Sequence, residues 1–129
     1  MTIAELCLPL MIILIIASIG PGKADGGKTF DNANPRDPNF YTPGLRARSL
    51  GAHQNGFEAF PFFAAAVIIA EMHQAAQGTV NALAVAFLVC RVVYVLMYIG
   101  NRPSLRSTVW GLGMACNMAL FLTPWWAGH

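Results

Sequence analysis

The stretch RARSLGAHQNGFEAFPFF, residues 46–63, decides how this chain is read. It holds two arginines, a histidine, an amide pair and a glutamate, and it runs without a break into the wholly apolar residues 64–70. Polar chemistry and membrane character therefore meet on one helix. An ionisable side chain at membrane depth costs about 2.5–3.5 kcal/mol on insertion scales, so it must face protein or trapped water. On that ground alone Glu58 is a candidate functional residue.

The rest of the chain has the same character. Of its 129 residues, 56% are apolar and only 11% charged, against about 25% charged in an average soluble domain. The length suits a single domain, 1–129. Residues 3–19 read as a first span, with Glu5 as their one charge; about 20 apolar residues cross a bilayer. The lack of Lys and Arg ahead of this segment argues against a cleaved leader. Residues 21–44 read as one long polar connection, extended at NPRDP because residues before proline avoid the helical region.

The opening stretch belongs to a second span, 45–74, about 45 Å long as a helix and expected to bend at Pro61. A third span, 79–100, stops at the Gly100-Asn101-Arg102-Pro103 signal. A fourth, 104–123, carries Gly111, Ala115 and Ala119 as a small-residue stripe suited to close helix approach. Asn117 is expected to hydrogen-bond to a neighbouring helix. Trp125 and Trp126 suit a membrane interface. The expected fold is all-α, an integral membrane four-helix bundle. Lys23, Lys28, Arg36, Arg46, Arg48, Arg102 and Arg106 all lie in or beside the first and third connections. The positive-inside rule then puts 21–44 and 101–103 in the cytoplasm.

Helical spacing sorts the polar residues. At about 100° per residue, Arg48, Asn55 and Glu58 share one stripe of the second span, with Arg46, His53, Phe57 and Phe60 opposite. Those three can converge on one ligand or one partner helix; a polar zipper that sets helix register is the structural alternative. Arg91, Tyr94 and Tyr98 recur at steps of three and four on the third span, where Arg91 must be paired or solvated. Arg106 follows just beyond the turn. Asn55, Glu58 and Arg91 do not all fit inside one small bundle, so an oligomer is expected, with these residues near subunit boundaries. His53 stands without a second ligand at metal spacing and reads as a structural hydrogen bond; no metal is expected. Three cysteines in three spans form no disulfide framework. No basic run with interleaved aromatics points to nucleic acid. No nucleotide loop, zinc-protease motif or serine nucleophile elbow is present.

AHQNGFEAFPFF resembles the second-helix signature of the membrane-associated proteins in eicosanoid and glutathione metabolism, the MAPEG family. Asn55, Glu58, Phe60 and Pro61 match in place, and the likeness extends to Tyr94, Tyr98 and Arg106. RPSLRSTVW is similar to the small bacterial branch of that family, which implies a bacterial inner membrane. The resemblance implies a homotrimer with glutathione, as co-substrate, bound between subunits near the cytoplasmic face. Asn55 and Glu58 would hold the peptide's polar groups, and Tyr94 and Tyr98 would contact it. Arg91 and Arg48 would complete the binding set, and Arg106 would activate the thiol. The family's glutathione enzymes carry an arginine four residues before the asparagine, where this chain has Gly51; Arg48, one turn earlier, stands near the same stripe. The implied activity is a membrane glutathione transferase or peroxidase acting on a lipophilic electrophile or hydroperoxide. The alternative is a noncatalytic lipid-binding or scaffold protein of the same fold. Membrane lipid, a lipophilic small molecule and further copies of the chain are the expected partners.

Overall fold

The computed structural model describes residues 1–42 and 44–128; Pro43, within the expected connection, lies outside the described residues. The helices are α1 (Ile3–Ser18), α2 (Gly20–Gly26, followed by a 3-10 turn Gly27–Thr29), α3 (Gly44–Met72), α4 (Gln77–Ile99), α5 (Pro103–Phe121) and the short α6 (Thr123–Trp126). No strand occurs among the described residues.

Polar groups tie the helix ends together at one pole. The Thr2 hydroxyl accepts from the Glu5 backbone N–H at 3.1 Å, and the Thr2 N–H donates to Glu5 Oε2 at 2.8 Å. This reciprocal cap satisfies two of the donors that a helix start leaves open, and it accounts for the one charge in the first span. The same Thr2 hydroxyl donates to Glu71 Oε1 at 2.7 Å, and the Ala4 N–H donates to Asn81 Oδ1 at 3.1 Å. Gln77 Nε2 donates to both acceptors, at 2.9 Å each. The start of α1, the end of α3 and the start of α4 thus share one hydrogen-bonded knot.

The middle is apolar inside and out. Met11, Phe63, Val67, Phe87 and Leu120 are fully buried, and the Phe63 and Phe87 rings stack with centroids 4.3 Å apart. Buried Ala59, Ala66, Ala70 and Ala84 let the helices approach closely. Meanwhile Ile13, Ile16, Phe62, Val89, Leu96 and Met118 are each more than half exposed. A helix hydrophobic all round is one that lies in a membrane or deep in a large core. Three helical runs are long and apolar enough to cross a bilayer: residues 3–29, α3 and α4. The expected fourth span exists as the helix α5, which is not among the three; Arg106, a Ser/Thr-rich first turn and Asn117 dilute its apolarity.

Several expectations need correction. The connection 21–44 is not wholly irregular. Its first third is helical, with Pro21 in the opening turn of α2, where a missing N–H costs nothing. There α2 packs on α3 at a close crossing: Ser49 Oγ donates to the Ser18 carbonyl at 2.6 Å and accepts from the Gly22 N–H at 3.0 Å. A Cβ at residue 22 would lie 2.8 Å from that of Ser49, so the crossing requires glycine. The small stripe on α5 points outward. Nothing lies within 4 Å of a Cβ built on Gly111, and Gly113 instead makes the close approach, to Cys90 and Phe87. Buried Asn117 makes no interhelical hydrogen bond, and its Oδ1 has no donor. At the end of α4 Asn101 is left-handed (φ 59°), a conformation that Asn tolerates better than most residues. Trp126 Nε1 donates to the Ala119 carbonyl at 2.9 Å, folding the tail back on α5.

Candidate functional site

At the pole opposite the Thr2–Glu71 knot, α3, α4 and α5 diverge around a cleft of about 260 Å³. Asn55 lines it from α3, Tyr94 and Tyr98 from α4, and Arg106, Ser107 and Trp110 from α5. Four of the seven residues expected at the site thus line one cleft. Ser107 and Trp110 were not anticipated, because a serine and a tryptophan near a membrane boundary carry no distinctive spacing.

Arg91 lies behind this lining and organises it. It is 2% exposed. Its Nη1 donates to Asn55 Oδ1 at 2.9 Å, and its guanidinium carbon sits 4.2 Å from the Tyr94 ring centroid. Its Nε and Nη2 have no hydrogen-bond partner among the described residues. Tyr94 meets Tyr98 edge to face at 5.7 Å, and Arg106 lies over the Tyr98 ring at 4.7 Å. Two adjoining phenol rings are therefore flanked by two guanidiniums, Arg91 at one end and Arg106 at the other. A cation over an aromatic face is held by the ring quadrupole without losing its hydrogen-bond donors. Arg106 lines the cleft, and among the described residues no carboxylate is paired to it. Among the described residues the one ion pair is Arg46 with Asp25, at 3.2 Å.

The stripe expected on α3 is divided. Arg48 does not line the cleft: its Nε donates to the Ile99 carbonyl at 3.1 Å and closes the last turn of α4, a favourable place for a cation. Glu58 is exposed, stands outside the lining, and pairs with neither Arg91 nor Arg48. The physical reason is the length of the arginine stem. Arg48 reaches an open carbonyl end on its own side before it reaches the Asn55 level. His53 makes the structural bond expected of it, Nδ1 to the Ile15 carbonyl at 2.7 Å, and meets Phe57 edge to face at 5.0 Å.

Gly51 has a use here. A Cβ at this position would collide with the Tyr98 hydroxyl, so the glycine makes room for the Tyr98 ring end. Gly51→Ala is expected to push Tyr98 off its place beneath Arg106 and to cost about 1–3 kcal/mol as overpacking. A lowered unfolding midpoint in detergent, together with altered tyrosine fluorescence, checks this; an unchanged midpoint would show that the ring shifts freely.

Three helical runs long and apolar enough to cross a bilayer, with most of the basic residues at one pole, point to an integral membrane protein. The model of the MAPEG family matches residues 3–126, and the chain belongs to that family. Membership places it among the membrane-associated proteins of eicosanoid and glutathione metabolism. No curated protein and no solved structure matches the chain.

Proposed function

We propose that the protein is a glutathione-dependent transferase or peroxidase of the membrane, acting on a lipophilic electrophile or hydroperoxide. One observation carries this reading: Arg106 is held over the Tyr98 ring at the cleft with no acidic partner, in front of a buried Arg91 with two unpaired donor nitrogens. Such a site favours an anion with several acceptors. Glutathione offers carboxylates and a sulfur, and the thiolate is its nucleophilic form. Arg106 supplies a permanent positive charge for that sulfur. Sulfur then attacks an electrophilic carbon, and a thioether forms as the leaving group departs or the ring opens. With a hydroperoxide, two glutathiones give the disulfide, an alcohol and water.

The same reading takes α1, α3, α4 and α5 as a four-span bundle and the working unit as a homotrimer. Glu58, midway along α3 and exposed on the single chain, is costly against lipid unless a second copy covers it. The basic pole faces the cytoplasm of a bacterial inner membrane, so the thiol peptide arrives there. The lipophilic substrate enters from the bilayer past Trp110, which is 44% exposed. Calorimetry with glutathione tests the central claim: saturable binding is expected, and no heat at millimolar glutathione with the intact oligomer would overturn it. A membrane-impermeant thiol label at Asn101→Cys is expected to react only from the cytoplasmic side, and one at Gln77→Cys only from the other; reversed labelling would invert the orientation.

A second reading, a noncatalytic lipid-binding or scaffold protein, draws on three observations. Asn55 Oδ1 already accepts from Arg91, Arg48 is spent on Ile99, and Gly51 offers no side chain. The glutathione titration separates the two.

A further inference from the structure

On the other side of α3 lies a larger cavity, about 620 Å³, that shares no residue with the cleft. Its deep part is mostly apolar, lined by Ile16 and Ile19 from the end of α1 and by Leu50 and Phe57 from α3, with His53 and Gln54 between the last two. Ile16 and Phe57 are 60% and 58% exposed, so this part opens sideways at membrane depth. Its shallow part carries two cations, Lys23 from α2 and Arg36 from the segment between α2 and α3, and no Asp or Glu lines it. The long axis thus runs from hydrocarbon to headgroup level, with charge of one sign at the headgroup end.

These two cations are left over after the local charges have been assigned. Asp25 pairs with Arg46 at 3.2 Å. Asp31 and Asp37 are turned to the backbone N–H groups of Ala33 and Asn39, at 2.9 and 3.0 Å. Lys23 has only the face of the Phe30 ring, 5.0 Å from its Nζ, and Arg36 has no hydrogen-bond or ionic partner among the described residues. The wall that presents Arg36 is packed. Tyr41 is buried and donates to the Pro35 carbonyl at 3.1 Å, Phe40 is buried against both Phe30 and Tyr41, and Arg46 lies over the Phe40 ring at 4.7 Å.

We propose that this cavity is a binding site for an anionic phospholipid, with the phosphate held between Lys23 and Arg36 and one acyl chain lying along Ile16, Ile19, Leu50 and Phe57. The site does not depend on the glutathione reading, since it draws on none of the cleft residues. Charge complementarity selects the headgroup, because cations at the membrane surface favour anionic lipid by about fivefold each. The apolar floor selects a lipid over a free phosphate ester, because each buried methylene adds to the affinity.

The test is native mass spectrometry of the delipidated full-length protein in detergent, titrated with dioleoyl phosphatidylglycerol or dioleoyl phosphatidylcholine. The expected result is a preference of about thirtyfold for phosphatidylglycerol, from two cations. Lys23→Ala with Arg36→Ala should abolish the preference while leaving oligomer mass and helix content unchanged. Leu50→Trp, which fills the floor and keeps both charges, should lower the affinity for both lipids at least tenfold. Glycerol 3-phosphate, the headgroup anion without its tails, should not displace the lipid at millimolar concentration. Equal binding of the two lipids by the wild type, or a preference that survives the double substitution, would overturn the proposal. So would displacement by glycerol 3-phosphate. Dissociation of the oligomer by Leu50→Trp would assign the groove to a contact between copies of the chain and would equally overturn it.

Discussion

Replacing Asn55 with leucine is expected to destabilise the protein by about 3 kcal/mol, although leucine is close to asparagine in size and suits a membrane helix. The cost arises one helix away. Among the described residues, Asn55 Oδ1 is the one oxygen that accepts from the buried Arg91 guanidinium, at 2.9 Å. A hydrogen bond to a charged group is worth about 1.5–3 kcal/mol, and an orphaned buried charge adds its desolvation. Arg91→Met in the same background should recover most of the loss, because an apolar side chain of similar length needs no acceptor. Denaturant unfolding of both single variants and the double variant in one detergent measures the coupling. Additive effects would show that Asn55 is not the support of Arg91, and the wall of the cleft would have to be explained by the Tyr94 contact alone.

Arg106→Ala is expected to have the largest effect on function. Arg106 packs on Tyr98 and is only partly buried, so its removal should leave the oligomer and the unfolding midpoint close to wild type. Loss of a charge-assisted contact should weaken glutathione binding, or slow turnover, by about ten- to a hundredfold. The pH dependence gives a second readout. A guanidinium beside the sulfur favours the thiolate, so its loss raises the apparent pKa of the bound thiol, and activity at neutral pH falls as the ascending limb of the profile moves to higher pH. Arg106→Lys keeps the charge and should keep most of that shift. A pH profile unmoved by Arg106→Ala would remove this residue from the chemistry. Arg48→Ala has a different expectation. Since Arg48 holds the Ile99 carbonyl, its loss should loosen the α4–α5 turn and should not be read as loss of a ligand contact.

The helical architecture and the family were legible from residues 46–63 and the apolar runs around them. Period and hydropathy decide which segments are helices, and the Asn55–Glu58–Phe60–Pro61 spacing is specific enough to carry the likeness. The recurrence of Arg91, Tyr94 and Tyr98 on one face was also open to inspection, because residues three and four apart on a helix meet whatever surrounds them. Helical faces say less about long side chains. Arg48 and Asn55 share a stripe, yet a flexible arginine reaches across about a turn, and only the position of the α4 end settles which acceptor it finds. Glu58 likewise shares that stripe and stands outside the cleft.

What the amino-acid order determined by itself was local: where the four long helices run, that they suit a membrane, and which polar groups lie on which face. What only the tertiary structure decided was how the helices are rotated against one another. That rotation made Gly51 the space for Tyr98, turned the Gly111 stripe outward and Gly113 inward, and left Asn117 Oδ1 without a donor. It also set Lys23 and Arg36, 13 positions apart by their numbers, over the same apolar floor. The reason is physical. In a helix that is apolar on nearly every side, hydrophobic pattern no longer marks an inner face, so close packing and the few polar contacts fix its orientation.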